Sequence, residues 1–188
     1  MADMEKTDLR IKRTKNAIRN TFIEMICEMD YEDISVKELS NRAQINRKTF
    51  YSHYETLDDL LQEMQNEMVQ EFVKRTENMI RPREMDKITR EFFLYNESLG
   101  KLGERLICSG SYQYVNHRMV NKVMNHSWTN HSMNSDNPYV HNIVMTYTAQ
   151  STLFIYRQWI ADGRKIPLEE IIKIATQLIC NGVNGLNL

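Results

Sequence analysis

Between Leu39 and Tyr54 the chain carries Arg42, Arg47 and Lys48 and no acid, a local charge of +3 in a protein whose net charge is −1. Thr49, Tyr51 and His53 lie in the same stretch. Cations, hydroxyls and phenols gathered in this way suit a phosphate backbone. A basic run on a short helix also reads as a solvated face, and charge alone leaves both readings open. Five more basic residues, Arg10, Lys12, Arg13, Lys15 and Arg19, stand close by in the chain. A second group is looser. His117, His126, His131 and His141 surround a polar stretch and, with Cys108, could compose a transition-metal site. None of them has the short fixed spacing of a firm ligand set, so solvated loop histidines and no metal are expected. No Ser/His/Asp arrangement, paired carboxylates or Gly-rich phosphate loop occurs, so no residues support an enzyme and no cofactor is expected.

The elements that must position these groups are helices. Six glycines and three prolines in 188 residues are less than half the usual share of about 12%, which argues against a chain of many hairpins. Length predicts one domain, or one with an appendage. Ile18, Phe22, Met25, Ile26 and Met29 step by three and four and predict a helix over 8–29. Ser35, with Glu38 three residues on, has the form of a capping box and starts a second helix through Val36, Leu39 and Ala43. Asn46 caps a third, short one. Thr56 caps a longer one from Leu57 to about Ile80, stopped by Pro82. Further helices are expected over 84–98 and 111–126, with short ones between the glycines of 100–110. Asn137-Pro138 opens a long helix to Asp162, and Pro167 opens a last one ended by Gly182. No apolar run is long enough to cross a membrane, and the N-terminus lacks the apolar segment of a secretory signal. Three widely spaced cysteines fit a reducing compartment. A cytoplasmic protein is therefore expected.

Two short helices joined by a tight turn form a helix-turn-helix, and residues 35–54 meet its needs. Val36, Leu39, Ala43, Ile45 and Phe50 supply the packing, and the second helix opens on basic and polar residues. The segment ISVKELSNRAQINRKTFYSHYETLDDLL resembles the DNA-binding domain of TetR-family transcriptional regulators. The family's Thr/Ser-capped helix, its Ala-Gly-Val turn and its Thr-Leu/Phe-Tyr-x-His-Phe helix appear here as Ser35, Ala43-Gln44-Ile45 and Thr49-Phe50-Tyr51-Ser52-His53-Tyr54. Asn46-Arg47-Lys48-Thr49-Phe50-Tyr51 and the ending IYRQWIADGRKIPLEEII look like the subgroup common in low-GC Gram-positive bacteria. The resemblance covers about residues 10–65, and the rest is similar in layout only. Gln44 stands where the family has a turn glycine, Asp30 where helix one usually ends in glycine, and Leu57 where a phosphate-touching lysine is common.

The resemblance implies an all-α fold: a three-helix helix-turn-helix domain over 8–68, joined by a connector helix to a helical ligand-binding and dimerisation domain over 69–188. It implies a homodimer on a palindromic double-stranded DNA operator, a repressor released by a small-molecule effector. A coactivator or adaptor controlled by a protein partner is the alternative. Arg47 is expected to read guanine O6 and N7. Lys48, Thr49, Tyr51 and His53 are expected on phosphates, with Ser35 donating to one while it caps its helix. Asn46 is a cap first and a DNA contact second. Phe92, Met119, Trp128 and Tyr147 are expected to line an effector pocket between the middle helices. Phe154 and Leu178 are expected in the dimer interface, because helix 138–162 is apolar on too many faces for one neighbour.

Overall fold

The computed structural model describes residues 2–80, 83–112, 114, 118–123 and 137–184. Among them there is helix and no strand. The chain divides into two compact units, Met1–Asn66 and Glu67–Leu188.

In the first unit, α1 (Ala2–Glu28) is followed by a short 3-10 turn, α2 (Val36–Arg42), α3 (Arg47–Tyr51) and the opening turns of α4 (Leu57–Thr76). Ile18, Phe22, Met25 and Ile26 of α1, spaced on one helical face, are fully buried together with Leu39 and Phe50. Leu60, Leu61 and Met64 complete this core from α4. Each start is set locally. Ser35 Oγ accepts from the Glu38 amide at 3.2 Å. Glu38 does not complete a reciprocal box in the usual way, since its carboxylate takes the Arg42 guanidinium at 3.0 Å. At α4 the reciprocal pair does form: the Thr56 amide donates to Asp59 Oδ2 at 2.8 Å, and the Asp59 amide donates to Thr56 Oγ1 at 3.2 Å.

The second unit holds the remainder of α4, then α5 (Met85–Ser98), α6 (Lys101–Cys108), a helical stretch over 118–123, α7 (Pro138–Ala161) and α8 (Leu168–Asn184). Phe93 of α5, Leu153, Tyr156 and Trp159 of α7, and Ile171, Ile172 and Ala175 of α8 form one buried cluster. Phe72, Met85, Ile88 and Tyr95 form another. Gly103 lets α6 lie against α5, because an added Cβ would meet the Asn96 carbonyl oxygen at 2.8 Å. Between α7 and α8 the chain reverses through Gly163 and Arg164, both at positive φ. A non-glycine residue there is strained. Arg164 is held in place by Glu104 at 3.0 Å and Glu97 at 3.4 Å, while Trp159 Nε1 donates to the Ile166 carbonyl at 2.6 Å.

Three expected bounds move. α1 begins at Ala2 and not at residue 8. α4 stops at Thr76, well before Pro82; Thr76 Oγ1 donates back to the Phe72 carbonyl at 3.0 Å and the chain then turns. Gly182 does not end the last helix, which continues to Asn184. It serves packing instead: a Cβ there would lie 2.7 Å from the Tyr147 hydroxyl.

Candidate nucleic-acid interface

The turn between α2 and α3 is short and closed by its own backbone. The Gln44 amide donates to the Asn41 carbonyl at 3.1 Å and the Ile45 amide to the Ser40 carbonyl at 3.0 Å. This geometry needs a left-handed residue, and Gln44 sits there with φ 54°. A side chain in that conformation costs roughly 1 kcal/mol. Gln44→Gly is therefore expected to raise the unfolding free energy by about 1 kcal/mol, measured by urea denaturation. An unchanged or lower midpoint would show that the turn is unstrained by its glutamine.

Asn46 caps the start of α3, its Oδ1 accepting from the Lys48 amide at 2.9 Å. Phe50 fixes the helix from below, fully buried and edge-on to Tyr51 at 5.5 Å between ring centroids. Those two anchors leave Arg47 and Lys48 exposed at the first turn, and Tyr51 exposed at 56%. Thr49 and His53 are half-buried beside them, and Ser35 and Asn46 are exposed. The structure thus gathers the sequence candidates on the outer side of α3 and at the start of α2. Tyr54 is buried, with its hydroxyl donating to Glu63 at 3.0 Å.

Two of the basic residues counted from the sequence are already engaged. Arg42 pairs with Glu28 at 2.5 Å and Glu38 at 3.0 Å, and its pKa is raised chiefly by the Glu28 hydrogen bond. Lys15 lies 3.2 Å from Glu63 and over the Tyr54 ring. Among the described residues, Arg47 and Lys48 make no ion pair, so the cations open to an anion on α3 are these two. Leu57, in place of the lysine common in resembling proteins, is half-buried and offers no contact to a phosphate.

The second unit holds a partly open cavity of about 130 Å³. Phe92 and Met119 line it. Tyr147 does not: it is exposed on α7, and its hydroxyl donates to the Leu178 carbonyl at 3.4 Å across the space that Gly182 leaves. Trp128 lies outside the described residues, as do His117, His126 and His131. The pattern missed Met68, Phe72 and Thr89, which also line the cavity. The available signal was Thr89 set between Ile88 and Phe92 on an otherwise apolar face. Among the described residues no group of three or more His, Cys, Asp or Glu is placed to hold a metal. Burial pushes the Cys108 thiol above its ordinary pKa, with Glu104 adding to the shift.

On α7, Tyr139 (75% exposed), Ile143 (67%), Tyr147 and Phe154 (62%) share one helical face. Leu178 of α8 is 57% exposed. Among the described residues no helix is long and apolar enough to cross a membrane.

No family model matches the chain. Over 61 residues it is 34% identical to the uncharacterized HTH-type transcriptional regulator YxbF of Bacillus subtilis (strain 168). That stretch is 32% of this chain and only 16% of the length of that relative. Among solved structures, a TetR transcriptional regulator from Streptococcus agalactiae 2603V matches with a TM-score of 0.70 at 21% identity, over 94% of this chain and 98% of that one. NalD, the secondary repressor of the MexAB-OprM multidrug efflux pump in Pseudomonas aeruginosa, matches at 0.68 and 17% identity, over 92% and 96%. A TetR-like transcriptional regulator from Rhodococcus sp. RHA1 matches at 0.61 and 14% identity, over 92% and 96%.

Proposed function

We propose that this chain, which has the all-α fold of TetR-type transcriptional regulators, is itself a DNA-binding transcriptional regulator that acts in the cytoplasm as a ligand-responsive repressor. The observation that carries the proposal is the pair Arg47 and Lys48, exposed at the first turn of a helix that Phe50 and the Asn46 cap hold in place. The N-terminal end of such a helix is what meets base edges in the major groove. The YxbF likeness supports the same reading. Residues 8–68 form the DNA-binding part and 69–188 the effector and dimerisation part. Two copies paired through the exposed apolar face of α7 and α8 present two recognition helices to half-sites about 34 Å apart on a palindromic operator. A ligand held in the second unit releases DNA only by binding the DNA-incompetent conformation better, by a few kcal/mol.

Arg47 is assigned to guanine and Lys48 to a phosphate, with Ser35, Thr49, Tyr51 and His53 as further backbone contacts. Arg47→Ala is expected to weaken operator binding by about 1–3 kcal/mol and to blur preference at one base position. Lys48→Ala is expected to weaken specific and random DNA alike, because a phosphate contact carries no sequence information. Fluorescence anisotropy against an operator selected from a random pool, and against scrambled DNA, separates the two. Equal weakening by Arg47→Ala on both DNAs would make Arg47 a phosphate anchor. A chain that binds no DNA at moderate salt, with or without these changes, would overturn the regulator proposal in favour of a protein-controlled adaptor.

A further inference from the structure

The cavity of the second unit has a definite chemical character. Its wall includes Met68 and Phe72 of α4, Met85 and Thr89 of α5, Met119 of the 118–123 stretch and Met145 of α7. Among the described residues no acidic or basic side chain lines it. A charged guest would leave its hydration behind and find no counter-charge. The volume of about 130 Å³ is close to that of an engineered apolar cavity of ~150 Å³ that admits benzene. Four methionines give a polarizable wall that adapts to a ring and contacts it favourably through sulfur.

Four polar residues, Thr89, Asn96, Thr148 and Thr152, interrupt this apolar surface, and Asn96 Nδ2 donates to the Phe92 carbonyl at 2.7 Å. Thr89 is 2% exposed, and its hydroxyl has no hydrogen-bond partner among the described residues. The other two threonines of the wall satisfy themselves: Thr148 Oγ1 donates to the Met145 carbonyl at 3.1 Å and Thr152 Oγ1 to the Thr148 carbonyl at 2.7 Å. Back-bonding of this kind is the ordinary resort of a helical threonine. Thr89, a residue of the wall, forgoes it and leaves its hydroxyl for a guest's polar atom.

We propose that the cavity binds a small, uncharged, single-ring aromatic molecule with one hydrogen-bonding group, of the phenol or aryl-alcohol type, its ring among the methionines and its oxygen on Thr89 Oγ1. Naming this molecule as the effector rests on the regulator proposal; the site itself does not. The test uses the full chain without DNA and four probes, p-cresol, toluene, benzoate and benzylammonium, titrated by calorimetry. p-Cresol is expected to bind most tightly, toluene more weakly, and the two ions at least ~100-fold more weakly than p-cresol, since each must be desolvated unpaired. Thr89→Val is expected to lower p-cresol affinity roughly 2–10-fold, the worth of one neutral hydrogen bond, and to leave toluene binding unchanged. Thr89→Ser, which keeps the hydroxyl, is expected to retain p-cresol. Retained toluene binding shows that the valine variant is folded. Either ion binding as tightly as p-cresol, or p-cresol indifferent to Thr89→Val, overturns the assignment. Operator DNA bound with no uptake of any neutral probe also overturns it and leaves the DNA-binding proposal standing. Uptake of p-cresol without change in DNA affinity upholds the site and removes its role as effector site.

Discussion

Ile143→Asp combined with Phe154→Asp is expected to convert a dimer into a monomer. Both side chains stand exposed on one face of α7, in line with Tyr139 and Tyr147 and with Leu178 on the neighbouring helix. α7 carries 24 residues with apolar positions on more sides than α5 and α8 cover. An exposed apolar strip of that length suits an interaction surface, and under the proposed two-fold pairing the partner offers the same strip in return. Under two-fold symmetry each aspartate enters the interface twice. An unpaired carboxylate buried there costs several kcal/mol, so the dissociation constant should rise by roughly 10³-fold or more. Sedimentation velocity at micromolar concentration measures this directly. Operator affinity should collapse with it, because one recognition helix holds only a half-site. The α5 and α8 core does not include either residue, so helical content should be retained. A wild-type chain that sediments as a monomer, or a double variant that still sediments as a dimer, would remove the proposed interface.

Phe50→Ala is expected to cost about 3–5 kcal/mol, because a fully buried phenyl ring leaves both lost transfer energy and a cavity. The ring packs against Tyr51 at 5.5 Å and Tyr54 at 5.8 Å between centroids and joins the core built on Phe22 and Leu39. A loss of that size is a large share of the 5–15 kcal/mol that stabilises a typical protein. Hydrogen exchange should show the damage by location. Amides of α1, α2 and α3 should lose protection, while those near Phe93, Tyr156 and Ile172 should keep theirs, since the two units hold separate cores. Uniform loss across both units would mean that they unfold together.

Much of the candidate interface was legible because its determinants are local. The caps at Ser35, Asn46 and Thr56 are set by neighbours two or three residues away, and all three form. The stripe from Ile18 to Ile26 needed only helical periodicity. Gln44 drew notice only through the resemblance, as the residue standing where a turn glycine is usual, and it takes the left-handed conformation. What escaped depended on partners far along the chain or on a choice of face. Arg42 counts as a free cation in a linear tally, yet Glu28, fourteen positions earlier, holds it. Tyr147 belongs to a helix apolar on several sides, and nothing local says which side meets the cavity. Its place became fixed only by Gly182, on another helix. Thr89 was marked in the sequence only as a polar residue on an apolar face, because an orphan hydroxyl is defined by the partners it lacks in space.

The engagement of Arg42 by two carboxylates has a consequence for ionic strength. A cation that is already neutralised by Glu28 and Glu38 displaces no counterion when it approaches a duplex. Each phosphate contact made by an unpaired cation contributes about −0.9 to the slope of log K against log salt on B-DNA. With Arg42 excluded, the chain carries fewer effective charges on its proposed recognition face than its residue types imply. Its grip on DNA should therefore fade more gently as salt rises. It should also depend more on base contacts than on the polyelectrolyte background that draws strongly basic proteins to any DNA.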